Sequence, residues 1–184
     1  MRTYRNWAMV LTILALAGGT HLAAQGRTDL ELGTQAGITI LHQNGTSTTN
    51  FGLPGGGVLG SPTIYLAIFP DRQLSIEPQI AFTHSDVEEA SASSFAGVVR
   101  IAGYLQDAHA SAYLFGGLGV QTVSVKVGAA SNSSTRVGAG FGIGYRAAFA
   151  RYLVVRPEAE FRKWTDDGPS EIALRAAFGV MLPH

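Results

Sequence analysis

The sequence predicts an all-β fold: an eight-stranded antiparallel up-and-down β-barrel that spans a membrane, preceded by a cleavable signal peptide. Three observations carry this. Apolar residues recur with a period of two from about Asp29 to Leu182, the strand signature. The connections alternate between long polar stretches and tight turns. Charged residues inside the segments fall on the parity opposite the aliphatic ones.

Composition sets the outer bounds. Only 14% of residues are charged, against ~25% in soluble domains. A chain of 184 residues indicates one domain. The formal net charge is zero, so no basic surface points to nucleic acid. The absence of cysteine excludes disulfides, thiolate metal centres, a cysteine nucleophile and a lipid-anchored N-terminal Cys. Arg2 and Arg5 precede an apolar run from Trp7 to Ala17 and a small, polar stretch from Gly18 to Gln25. That pattern reads as a signal peptide over 1–24, with the barrel domain over 25–184. The apolar run is shorter than the ~20 residues of a transmembrane helix.

The first segment places Leu30, Leu32, Ala36, Ile38 and Ile40 opposite Asp29, Glu31, Gln35 and Thr39. The second, about Val58 to Phe69, alternates Ile64, Leu66 and Ile68 with Thr63, Tyr65, Ala67 and Phe69, and both faces are apolar. The third sets Leu74, Ile76, Ile80 and Phe82 against Ser75, Glu77, Gln79 and Thr83. Pro78 within it lacks a ladder donor and predicts a bulge or irregularity. The fourth, about Ser94 to Gln106, opposes Phe95, Val99, Ile101 and Leu105 to Arg100 and Tyr104. The fifth, Ser111 to Val127, is glycine-rich with two similar faces. The sixth separates Val137, Ala139, Phe141, Ile143, Tyr145, Ala147 and Phe149 from Arg136, Gly138, Gly140, Gly142, Gly144 and Arg146. The seventh opposes Leu153, Val155, Ala159 and Phe161 to Arg156, Glu158, Glu160 and Arg162. The eighth opposes Ile172, Leu174, Ala176, Phe178, Val180 and Leu182 to Glu171 and Arg175. Polar loops are predicted at His42–Gly57, His84–Ser93, Gly128–Ser134 and Thr165–Pro169, with tight turns near Asp71, Asp107 and Ala150.

Charge sorting decides what surrounds the barrel. A soluble ligand carrier has an apolar interior, and an Arg/Glu face cannot line such a core without pairing. With the apolar face against lipid, Glu77, Arg100, Arg136, Arg146, Arg156, Glu158, Glu160, Arg162, Glu171 and Arg175 point into the lumen as a structural charge network. Barrel closure also satisfies every backbone group within a bilayer. Short turns then face the periplasm and longer loops the outside, in a bacterial outer membrane. Phe69, Phe82, Tyr113, Phe115, Phe149, Tyr152, Phe161 and Trp164 lie near segment ends, as interfacial girdles require, and Lys163 beside Trp164 reaches the interface.

The Ser75-Ile76-Glu77-Pro78 strand, the Gly138–Gly144 alternation and the stretch Arg156-Pro157-Glu158-Ala159-Glu160-Phe161-Arg162 resemble the small eight-stranded outer-membrane barrels of the OmpX and OmpA-transmembrane type. The resemblance covers about Asp29 to Leu182. It implies a barrel architecture, with outer-membrane lipid, lipopolysaccharide and the barrel-assembly machinery as partners, and no particular activity. The final Leu182-Pro183-His184 departs from the terminal aromatic residue of such barrels, for which Phe178 stands in.

Other chemistry is weaker. The alternating glycines of 138–144 lack the helix a phosphate loop needs, and are expected to leave lumen space for arginines of neighbouring strands. His84-Ser85-Asp86 holds the residue types of a hydrolase triad, but strand neighbours point to opposite faces. His42 and His84 sit where strands meet loops, and two histidines rarely define a metal site. Asp86, Glu88 and Glu89 read as a solvated acidic loop. The expectation is a non-enzymatic barrel without cofactor or metal, its lumen plugged because eight strands leave room only for side chains. It serves envelope integrity or surface interaction. The alternatives are a lipopolysaccharide-modifying enzyme and a narrow channel or small-ligand carrier.

Overall fold

The computed structural model describes residues 29–52, 63–87, 90–108, 110–149, 152–166 and 168–182. The predicted signal peptide, with Arg2 and Arg5, lies outside them, as do Glu88, Glu89 and the C-terminal Pro183-His184. Among the described residues there are nine strand segments: β1 (Asp29–Gln43), β2 (Thr46–Gly52), β3 (Thr63–Asp71), β4 (Leu74–Val87), β5 (Ala90–Tyr104), β6 (Ala110–Val127), β7 (Ala130–Ala148), β8 (Leu153–Trp164) and β9 (Ser170–Leu182).

They form one antiparallel sheet that closes when β1 pairs with β9, from Leu30–Leu182 to His42–Ser170. The other edge of β1 is shared. Its lower half pairs with β3 and its upper half with β2. β2 and β3 therefore occupy one position in the wall, and the barrel is eight-stranded as predicted.

The wall is inside out relative to a soluble protein. Leu118, Phe141 and Ile143 are 67%, 65% and 59% exposed, whereas Glu31, Glu77 and Arg156 are 0% exposed. The predicted parity holds on β1, β4, β5, β7, β8 and β9. The second segment, apolar on both faces, resolves with Tyr65, Ala67 and Phe69 inside and Ile64 outside. Tyr65 takes the inner position because its hydroxyl reaches a buried carboxylate there.

Three predictions about connections need correction. Asn44 and Gly45, at φ 51° and 77°, make a two-residue turn that carries the chain from β1 into β2, so much of the predicted loop at 42–57 is strand. Positive φ at both central residues is what Asn-Gly favours in a hairpin. The predicted loop at 84–93 continues β4 and β5, paired from His84–Ser93 to Val87–Ala90. The one at 128–134 shrinks to a turn, because β6 and β7 stay paired from Thr122–Thr135 to Val127–Ala130. On these ribbons the outward side chains are polar. Thr122 bonds Thr135 (3.0 Å) and Ser124 bonds Ser133 (3.0 Å), just above the apolar pair Val120–Val137. The lipid-facing belt thus ends between Val120 and Thr122 on β6, and between Phe82 and His84 on β4. The loop at Thr165–Pro169 is as predicted.

Pro78 does not mark the irregularity. Pairing with β5 runs unbroken through Pro78–Val99, and Tyr65–Gln79 and Ile68–Ile76 keep one register on the other side. The shift lies between Ile68 and Asp71, beside the turn.

Candidate functional site

The lumen is crossed by a lattice of three arginines and three glutamates. Arg100 on β5 donates to Glu158 on β8 through Nη1 (2.8 Å) and to Glu77 on β4 through Nη2 (2.6 Å). Arg156 donates through Nη2 to Glu77 (2.7 Å), with Glu158 at 3.2 Å and Glu31 at 3.6 Å. Arg146 donates through Nε to Glu31 (2.9 Å) and through Nη1 to the carbonyl of Ala108 in the turn below. All six charged groups are buried and their formal charges cancel. Burying ions is expensive unless partners and hydrogen bonds replace water, and the lattice supplies both, except at Arg156 Nη1, which has an ion-pair partner but no hydrogen bond among the described residues.

Tyrosines and a serine complete the shell. Tyr65 donates to Glu31 (2.7 Å), Tyr113 to Glu158 (2.5 Å) and Ser75 to Glu77 (2.8 Å). Arg156 in turn donates to the Tyr113 oxygen (3.0 Å) and lies 5.2 and 5.0 Å from the ring centres of Tyr65 and Tyr113. Arg100 stacks over Phe115 at 4.3 Å. These faces stabilise guanidinium groups where water is excluded. Below the lattice, Phe69, Tyr104 and Tyr113 form a tilted ring column with centroids 5.9 and 4.9 Å apart. Buried Ala108 lies in the turn beneath, donating to the Arg72 carbonyl.

A second group sits towards the loop end. Glu160 accepts from Arg162 and from Arg175 (2.5 Å). The Trp164 indole donates to Glu171 (2.6 Å), and Arg162 stacks on that ring at 5.6 Å. Of the ten residues predicted to line the lumen, nine therefore join these two groups. Arg136 is half-buried at the same end, and no ion pair to it is seen among the described residues.

Sequence reasoning missed Glu31, although it shares the inner parity with Asp29, because its partners Arg146 and Arg156 lie more than a hundred residues away and no local pattern joins them. It also misplaced half of the aromatic girdle. Phe69, Tyr113, Phe115 and Trp164 are buried in the lumen, while Phe82, Phe149, Tyr152 and Phe161 face outward. Trp164 is thus buried on the lumen side and not an interfacial anchor. The alternating glycines explain the shift. A Cβ at Gly138 would stand 2.5 Å from the Trp164 ring, at Gly142 2.4 Å from Phe115, and at Gly144 2.4 Å from Tyr113. The glycines make room mainly for aromatic rings, and only Gly140 faces Glu160 and Arg162. Gly144→Ala is expected to cost about 1–3 kcal/mol by overpacking, read as a lower midpoint in urea unfolding, because Tyr113 must leave Glu158.

At the belt's upper edge, His84 Nε2 bonds Asp86 Oδ2 at 2.8 Å, both exposed. Ser93 is the cross-strand partner of His84, with no hydrogen bond between them seen among the described residues. The Ser85 side chain lies outside the described residues. His42 bonds Ser47 (3.1 Å), so the two histidines have separate partners. No group of three or more His, Asp or Glu suited to a metal is found among the described residues.

A closed eight-position wall, an exposed apolar belt and a charged interior are now in place. This is the outer-membrane barrel fold. Solved structures share it: Neisserial surface protein A superposes with a TM-score of 0.64 at 14% identity, over 84% of this chain and 99% of that one. Ail, the attachment invasion locus protein of Yersinia pestis, gives 0.56 at 13%, over 86% and 100%. The N-terminal barrel domain of Pseudomonas aeruginosa OprF gives 0.54 at 12%, over 84% and 99%. No protein-family model and no curated protein sequence matches the chain. At such identities the likeness concerns the barrel's architecture alone.

Proposed function

We propose that this chain is a non-enzymatic outer-membrane protein, a closed barrel that holds polar β-ribbons above the bilayer for surface contact. The observation that carries it is the neutral Arg–Glu lattice across the lumen, combined with ribbons whose outward face turns polar above the belt. A plugged interior suits a platform better than a channel or carrier. A similarly shaped barrel, Ail, bears a name that speaks of attachment. Lipopolysaccharide and other outer-membrane lipids surround the belt, and the barrel-assembly machinery inserts it. The reading as a lipid hydrolase has the His84–Asp86 pair in its favour and no nucleophile bonded to it among the described residues.

Planar-bilayer recording of the purified protein tests the plug. No steady current is expected, and steady ion flow would overturn it. Trimming the β6–β7 ribbon between Thr122 and Thr135 tests the display element. Heat-modifiable gel migration should survive; its loss would make the ribbon part of the folding unit instead.

A further inference from the structure

A shallow groove of about 1010 Å³ crosses the outer wall where β7, β8, β9 and β1 meet. Ala36, Pro157, Ala159 and Ala176 form its floor, and Tyr145 and Phe178 rise beside it. The floor residues are cross-strand neighbours: Pro157 pairs with Ala176, and Ala176 with Ala36. Small residues alone make no site. A second feature stands directly above them on the same wall. Lys163 on β8, Ser170 on β9 and His42 on β1 form one cross-strand row, since Lys163 pairs with Ser170 and Ser170 with His42. This row caps the apolar row Phe161–Ile172–Ile40 and is where the belt ends on this side.

The row has donors to spare. The Lys163 ammonium gives one proton to the Gly168 carbonyl (3.0 Å), which holds the side chain at the rim, and among the described residues no other partner takes its remaining two protons. His42 uses Nδ1 with Ser47; when the Ser47 hydroxyl donates to Nδ1, the ring proton sits on Nε2, the tautomer an anion selects. Adjacent strands are ~4.8 Å apart, so the three positions span about 10 Å, within reach of one phosphate for a flexible lysine.

Depth matches as well. Ala159 and Pro157 lie four and six residues below Lys163, ~13 and ~20 Å along a strand. With the usual tilt of such strands this is ~10 and ~15 Å into the bilayer, and the second figure is half the ~30 Å hydrocarbon core. We infer that this face is a specific seat for an anionic lipid of the outer leaflet, its phosphate held by Lys163, Ser170 and His42 and one acyl chain lying in the groove over Ala36, Pro157 and Ala176. The inference rests on the outer-membrane reading above and adds a headgroup charge and a place on the wall.

The test is native mass spectrometry of the purified protein from micelles holding equal phosphatidic acid and phosphatidylcholine with identical acyl chains. The protein is expected to retain phosphatidic acid at least about fivefold over phosphatidylcholine, the contribution of roughly one lysine at a membrane surface. Lys163→Ala with His42→Ala should erase that preference. Ala36→Leu with Ala176→Leu, both lipid-facing and harmless to the lumen, should fill the groove and lower retention of phosphatidic acid. Equal retention of both lipids by the unaltered protein, or unchanged phosphatidic acid retention in either variant, would overturn the seat. Heat-modifiable migration is measured first on the unaltered protein. Its absence would count against the outer-membrane barrel itself, a failure separate from that of the lipid seat.

Discussion

Arg156→Ala should destabilise the barrel by about 3–5 kcal/mol, and its urea midpoint in lipid vesicles should fall accordingly. The cause is the group left behind. Arg156 stands within 2.7 Å of Glu77, 3.2 Å of Glu158 and 3.6 Å of Glu31. Without it, Glu31 keeps Arg146, and Glu77 and Glu158 share Arg100 alone. The two rings that flank the guanidinium would also face a void. Glu158→Ala should cost a similar amount, since Arg100 would lose its bidentate partner and Gln35 and Tyr113 their acceptor. A midpoint unmoved by either change would mean that the lattice contributes nothing to stability.

The second large effect concerns the opposite face. Ile143→Arg should cost about 2–4 kcal/mol, the range for a cation near the bilayer midplane. Ile143 is 59% exposed and lies in a row with Ala159, Leu174 and Ile38, in the middle of the apolar belt. For a soluble protein, an exposed Ile→Arg change away from special features would fall within ~0.5 kcal/mol. The same substitution therefore separates the two environments. Comparing refolding into vesicles with that of Thr122→Arg, just above the belt, supplies the internal control: only Ile143→Arg should shift the midpoint.

The wall was readable from sequence because lipid and lumen impose opposite chemistry on alternate residues. Glu77, Arg100, Arg156 and Glu158 announced the inner face, and Ile76, Ile101, Phe161 and Leu174 the outer one. The ribbons above the membrane were not readable, because both of their faces meet water. Thr46, Ser47, Thr48 and Thr49 have no alternation to detect, although Asn44-Gly45 carried the hairpin signal. Aromatic rings were misassigned for a related reason. Position along a strand suggested an interface for Tyr113 and Trp164, whereas their polar atoms reach Glu158 and Glu171 across glycines on neighbouring strands. Only the pairing register reveals which glycine faces which ring.

The path of the lattice through the chain has a consequence for how the barrel assembles. Glu31, on the first strand, finds Arg146 and Arg156 more than a hundred residues later. Gln35 reaches Glu158 over a separation of 123 residues. Those contacts form only once β1 meets β9, so Glu31 stays unpaired with Arg146 until the last strand arrives, although Glu77 and Arg100 already face each other on β4 and β5. A partly built sheet has no way to neutralise Arg146 or Arg156 fully and no reason to enter the bilayer ahead of closure. The seam thus acts as a latch: burial of charge and sealing of the wall occur in one cooperative event. Refolding should accordingly show a single phase in which tyrosine burial and resistance to protease appear together.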